Sequence, residues 1–306
     1  MQVLISTCTP QGIDRVAAME LPAVEGVEYL VMWQKHEGAQ VPKQLERRAD
    51  VRIIRSERIG LSANRNDLLD AATDEVVLIA DDDLRYTAAS LSAVRDVIND
   101  NNPGVDYFSF RHSGPAHKTY PASECSLRHL PKGFYQTSFE VALRRSPRTA
   151  GLRYREDFGV GAPYYGCGEE ELLLLQARKA SLNCRFFSIT VAEHPAPSTG
   201  NRHADRRTLH GHGAVIAMLH PWSWPLRLPL KAMRLARAGH ASFTAALWPL
   251  IAGAVRIRIH PRKQSAYSQI LPTSAKLRNK IEELNDRGRK TKFQPRSFVN
   301  LSDNIF

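Results

Sequence analysis

Three aspartates stand together at Asp81, Asp82 and Asp83, directly behind the apolar run EVVLIA at residues 75–80. Adjacent carboxylates repel one another and raise each other's pKa unless a counter-charge meets them. A hard divalent cation is such a counter-charge. Mg²⁺ and Mn²⁺ take oxygen ligands, commonly one or two carboxylates completed by substrate phosphates. Alternation along a strand puts Asp81 and Asp83 on one side and Asp82 on the other. An Asp-x-Asp pair for metal follows, with Asp82 toward a sugar or ribose. The same residues also read as the opening of a loop that caps a helix at Thr87.

A second acidic group, Glu169, Glu170 and Glu171, follows FGVGAPYYGCG, which holds four glycines in eleven residues. Acidic residues in a helix's first turn are favoured by its dipole and need no further role. The glycines, however, allow backbone to approach a ligand closely. A carboxylate on such a helix start is placed to take a proton from an attacking hydroxyl. A third element is His194 in VAEHPAPSTG, at the end of an expected strand. It reads either as a structural histidine or as a further metal ligand.

These residues need a frame, and the first part of the chain supplies an alternating one. QVLIST, VEYLVMWQ, VRIIRS, EVVLIA and VDYFSFRH read as strands. SANRNDLLDAAT, with Ser62 as its N-cap, and AASLSAVRDVINDNN, closed by Asn and Pro103, read as helices. TSFEVALRR and CRFFSITVAEH are further strands, and EEELLLLQARKAS is a helix starting straight after the glycine loop. Strands alternating with helices imply an α/β fold: a largely parallel sheet covered on both faces. Ligands of such sheets bind outside the carboxyl ends of the strands, where the aspartates sit.

The 306 residues are 43% hydrophobic, enough for a proper core, which excludes a disordered chain. Cys8, Cys125, Cys167 and Cys184 are scattered without metal spacing, which suggests a reduced cytoplasmic setting. The N-terminus MQVLISTCTPQG has no basic leader and reads as a first strand. No uncharged apolar run is long enough to span a membrane. The net charge of +11 is lopsided: residues 216–306 hold 16 Lys and Arg against 4 Asp and Glu, and the rest is nearly neutral. A basic end suggests an anionic surface, either phospholipid or nucleic acid.

Taken in order, the motifs resemble a bacterial family 2 glycosyltransferase with the GT-A fold. GLSANRNDLLDAATDEVVLIADDDLRY resembles that family's Gly-Leu-Ser and Arg-Asn helix followed by a strand ending in a DXD motif. YREDFGVGAPYYGCGEEELLL resembles its Phe-Gly-x-Gly stretch leading to Gly-Glu-Glu or Gly-Glu-Asp, and HPAPSTG resembles a downstream His-Pro segment. The resemblance covers residues 1–215. It implies a GT-A-type, Rossmann-like mixed sheet, mostly parallel and flanked by helices. It also implies transfer, with inversion, from a nucleotide-diphosphate sugar, a UDP-sugar by preference, to a glycan or lipid-linked hydroxyl in surface polysaccharide synthesis.

The resemblance carries residue roles. Asp81, Asp83 and His194 would hold Mn²⁺ or Mg²⁺ on the diphosphate, and Asp82 would lie near sugar or ribose. Thr7 and Gln34 would line the nucleotide pocket, while Arg65, with Asn66 beside it, would hold the base or diphosphate. Glu170 matches the general base, with Glu169 as the competing assignment because Glu replaces the usual Asp. Gln34 stands where many relatives carry an acidic residue.

Residues 216–306 then form a basic, partly amphipathic helical extension, its last residues without fixed structure. Trp222, Trp224 and Trp248 with its cations suit a peripheral seat on the inner membrane face. An ordinary helical subdomain with a solvated basic face fits the same residues. Two other activities compete: a metal-dependent nucleotidyltransferase, which leaves the glycine loop and His-Pro segment unexplained, and a nucleic-acid binder, for which no motif is present.

Overall fold

The strands of the sheet centre are apolar on both faces, as parallel strands covered on both sides must be. In a computed structural model of the chain, which describes residues 1–100, 104–115, 118–130, 134–195 and 205–260, β1 (Gln2–Cys8), β2 (Glu28–Gln34) and β4 (Val76–Asp81) are buried almost throughout. The half-buried β3 (Val51–Ser56) forms the edge beside β2. These four run parallel in the order β3-β2-β1-β4.

The sheet then changes direction. β7 (Val141–Arg144) lies antiparallel between β4 and β5 (Tyr107–Ser113). β8 (Cys184–Glu193) is parallel to β5, and the two-residue β6 (Cys125–Ser126) closes the far edge. The mixed, mostly parallel sheet expected from the sequence is present, with eight strands. Helices α1 (Pro10–Ala18) and α4 (Ala88–Asp100) bury Ile13, Val16, Leu91 and Val94 against one face. Helices α3 (Leu61–Ala71) and α5 (Glu169–Lys179) bury Leu68, Leu69, Leu173 and Leu174 against the other. The single turn α2 (Lys43–Glu46) leads into β3.

Two capping expectations resolve differently. Ser62 is not the N-cap of α3; Gly60 holds that position. Its hydroxyl instead donates to the Phe158 carbonyl at 2.7 Å, pinning the glycine-rich loop to the helix. Thr87, not an aspartate, caps α4: its Oγ1 accepts from the Ser90 amide at 3.0 Å.

Three further helices follow: α6 (Arg206–Leu219), α7 (Trp224–Arg237) and α8 (Phe243–Ile259). Asp205 and Ser242 cap α6 and α8 through their side chains. The three bury Leu209, Leu228, Leu235 and Leu250 in one core, shared with Phe158, Tyr165 and Leu172 from the loop and α5. Helices α6 and α8 cross backbone to backbone. A Cβ on Gly213 would lie 1.9 Å from the Leu250 carbonyl oxygen, and one on Gly253 2.0 Å from that of His210. The division expected at residue 215 falls inside α6. Met1–Pro261 form one compact unit. The expected extension beyond residue 260, the end of the His-Pro segment from 196 onward and the helix stop at 101–103 lie outside the described residues. No described helix is long and apolar enough to cross a membrane.

Candidate active site

Parallel alignment brings the carboxyl ends of β1, β2 and β4 to one rim. Asp81 is the last residue of β4, opposite Ser6 of β1. The three aspartates diverge there. Asp82 accepts from the Thr7 hydroxyl at 2.6 Å and takes a two-pronged contact from Arg15 of α1, at 3.1 and 2.7 Å. Its hydrogen bond and charge raise the Arg15 pKa further. Asp81 accepts from Arg65 at 2.9 Å. Asp83 faces His194, Oδ2 to Nε2 at 3.5 Å, and its buried Oδ1 has no partner. Desolvation and the neighbouring Asp81 and Asp82 charges push the Asp83 pKa up, against the pull of His194 and Arg15.

His194 reaches Asp83 because the chain is pinned on both sides of the pair. Arg85 and Glu193 exchange two backbone hydrogen bonds of 2.9 Å, tying the aspartate loop to the end of β8. The His194 amide donates to the Ser113 carbonyl at 2.8 Å. Its ring stacks on Phe139 at 5.3 Å with 3° between planes. Asp83 and His194 thus form a facing pair of side chains that could hold a metal. Asp81, turned to Arg65, does not complete a triad with them, and among the described residues no three His, Cys, Asp or Glu side chains converge on a metal position.

Arg65 is the centre of the arrangement and is 1% exposed. Besides Asp81 it reaches Glu170 at 3.1 Å, Glu169 at 3.5 Å and the Ser138 hydroxyl at 2.6 Å, over the Tyr154 ring. It is a buried counter-ion for carboxylates. Asn66 donates to the Tyr154 carbonyl at 2.9 Å and to Glu156 at 3.1 Å. Gln34 is buried and donates to the Gly60 carbonyl at 3.3 Å, so Thr7 and Gln34 do stand at adjacent strand ends.

The three glutamates of α5 occupy three environments. Glu169 is 4% exposed, and burial together with the Glu170 charge holds its carboxyl well above the usual range despite Arg65. Desolvation and Glu170 push Glu171 up to about 7, while Lys118 and Lys231 pull it down. Glu170 keeps a direct ion pair with Arg65 and remains 17% exposed at its side chain. Gly168, whose φ of 104° suits glycine alone, starts the helix against Val215 of α6.

Sequence reading missed Arg15 and the buried group around Glu140. The carboxylate of Glu140 is met by His112 at 2.7 Å and by Lys118 and Tyr120 at closer range. Burial alone would raise its pKa; His112, Lys118 and Thr137 bring it below the ordinary value. The capping box of Thr137 and Glu140 was the one local signal available.

Residues 38–156 match the model of glycosyl transferase family 2. That stretch resembles a family 2 glycosyltransferase domain. The matched stretch includes Arg65, Asn66 and all three aspartates, and ends before the glutamates and His194. No curated protein matches the chain at the sequence level. Among solved structures, Staphylococcus aureus TarS 1-349 in complex with UDP has 16% identity over 96% of this chain and 93% of that one, at a TM-score of 0.51. The complex of the same segment with UDP-GlcNAc has 14% identity over 80% and 74%, at 0.50. A longer TarS structure has 15% identity and a TM-score of 0.51 over 79% of this chain, which spans 44% of its length. At such identities the likeness is one of fold: the chain shares the GT-A architecture.

Proposed function

We propose that the enzyme transfers a sugar, with inversion, from a nucleotide-diphosphate donor, a UDP-sugar, to a hydroxyl of a glycan or lipid-linked acceptor in surface polysaccharide synthesis. The observation that carries this reading is the reach of Arg65. One buried guanidinium touches Asp81 on the donor rim and Glu170 on the helix that would face the acceptor. The two carboxylate groups of a single displacement are therefore within one side chain's span.

In this reading Glu170 removes the acceptor proton while the acceptor oxygen attacks the anomeric carbon. The bond from that carbon to the diphosphate oxygen breaks, and the nucleotide diphosphate leaves. Glu170 is favoured over Glu169 because it is accessible and Glu169 is buried with a raised pKa. The residues fit Mn²⁺ or Mg²⁺: Asp83 offers an orphaned buried oxygen beside His194 in a carboxylate-crowded place. Held there, the cation would offset charge on the leaving diphosphate. Asp82, braced by Thr7 and Arg15, would face sugar or ribose. The basic region from residue 216 would seat the enzyme on the inner face of the cell membrane.

Incubation with a panel of nucleotide sugars and Mn²⁺ or Mg²⁺, following nucleotide release, tests the reading. Metal-dependent release from one donor, lost in Asp83→Ala, is expected. If no donor is bound or turned over, the proposal is wrong.

A further inference from the structure

Between residues 206 and 260 the chain holds eight lysines and arginines and no aspartate or glutamate. Three of the cations, Arg227, Lys231 and Arg234, recur at helical spacing along α7. Cations at that spacing share one face. With no carboxylate on α6, α7 or α8, they have no acidic partner within these helices. They line a pocket of about 170 Å³ with Leu230, Ile216 and His220, between α7 and the end of α6. At about 30 Å³ per water, such a space takes a group the size of a phosphate.

The two stripes beside the cations say which kind of phosphate. One residue onward along α7, Leu228, Ala232 and Leu235 are buried in the helical core. One residue back, Leu226, Leu230 and Met233 are exposed, by 75, 54 and 39%, and Trp222 before them by 94%. The cations thus occupy the border between a protein core and an uncovered apolar stripe. A membrane surface presents the same sequence of layers: acyl chains, then phosphates. Long basic side chains at such a border keep their stems apolar and their heads at the phosphates. A nucleic acid would use the cations and leave the leucines bare to water. Lys231 also lies close enough to Glu171 of α5 for their charges to interact, so the pocket adjoins the helix that carries the general base.

We propose that the pocket between α6 and α7 binds the phosphate of an anionic lipid, whose chain lies along Leu226, Leu230 and Met233. The site deepens the proposed function by giving the anionic lipid around a lipid-linked acceptor a defined seat near Glu171 of α5; its own chemistry does not require donor or metal.

Flotation of the full chain with phosphatidylcholine vesicles, with and without phosphatidylglycerol, tests it. Each cation near an anionic surface contributes about fivefold to partitioning, so Arg227→Gln, Lys231→Gln and Arg234→Gln together should lower it roughly 100-fold. The exposed Arg227→Gln alone should give about fivefold, which covers failure of the triple variant to fold. Leu226→Ser with Leu230→Ser should also weaken binding. Neutralising Arg287, Arg289 and Lys290 should cost less than the α7 set. An equal loss there, or no preference for phosphatidylglycerol, overturns the site. Displacement by inorganic phosphate with no effect of the serine pair would mark a free-phosphate site and also overturn it. Asp83→Ala should bind vesicles unchanged, so a failure of the glycosyltransferase reading leaves this result standing.

Discussion

The rim of the sheet and the helices α6–α8 solve the problem of charge in opposite ways. At the rim, six carboxylates crowd together and the fold supplies their counter-charges from within: Arg15, Arg65, His194, and Lys118 and Lys231 at longer range. In the helices, eight cations stand without one carboxylate of their own, though Lys231 also feels the charge of Glu171. The first region is built to hold its charge in a fixed pattern, with one orphaned oxygen on Asp83 and another on Glu169. The second is built to leave its charge for something outside the chain. Internal pairing marks chemistry that needs geometry, and unpaired charge marks a surface.

The contrast breaks most sharply at Glu170. Glu170→Gln keeps the shape and loses the base, so transfer should fall by about 10²–10⁴-fold, while donor binding by calorimetry stays near that of the parent. Full activity in this variant would move the base elsewhere. Arg65→Met removes the shared counter-ion and leaves buried carboxylates unpaired. Urea unfolding should show a loss of about 3–5 kcal/mol, together with loss of transfer. A variant as stable as the parent would mean that the rim does not depend on Arg65.

Gly213→Leu tests the other region, since its side chain has no space against the Leu250 backbone. Overpacking should cost about 1–3 kcal/mol, read by thermal melting, and transfer should fall with it because Gly168 and α5 rest on α6. The smallest effect concerns Glu171. Its carboxyl titrates near 7 in the fold against an ordinary 4.5, so the folded chain holds a proton the unfolded one has lost. Its contribution is therefore intact below pH 4.5 and lost as pH rises toward 7. Glu171→Gln should raise the melting temperature at pH 8 by about 2 °C relative to the parent and leave it nearly unchanged at pH 4.5.

The sheet was legible because its strands are short apolar runs separated by helical spacing, the pattern a doubly covered parallel sheet requires. The acidic motifs stood out as candidates for chemistry for a related reason: clustered like charge is costly without a purpose. Their internal division was not. Alternation separates Asp82 from Asp81 and Asp83, but it does not say that Asp81 belongs to Arg65. That pairing depends on α3 packing under the rim. Helix α1 was unread because it is short and begins at Pro10, so Arg15 went unnoticed. The Glu140 group comes from three separate segments and leaves only a capping box in the sequence. The chain from residue 216 was read as an extension because its composition shifts there. Composition does not show that its leucines share a core with Phe158 and Leu172.

The clamp between Arg85 and Glu193 consists of main-chain hydrogen bonds alone, and both side chains are exposed. The distance between Asp83 and His194 is therefore set by peptide groups that every residue but proline supplies. Positions 85 and 193 are free to change identity, whether by drift or by design. They offer two places beside the candidate metal pair where a reporter group can be attached without moving the pair itself.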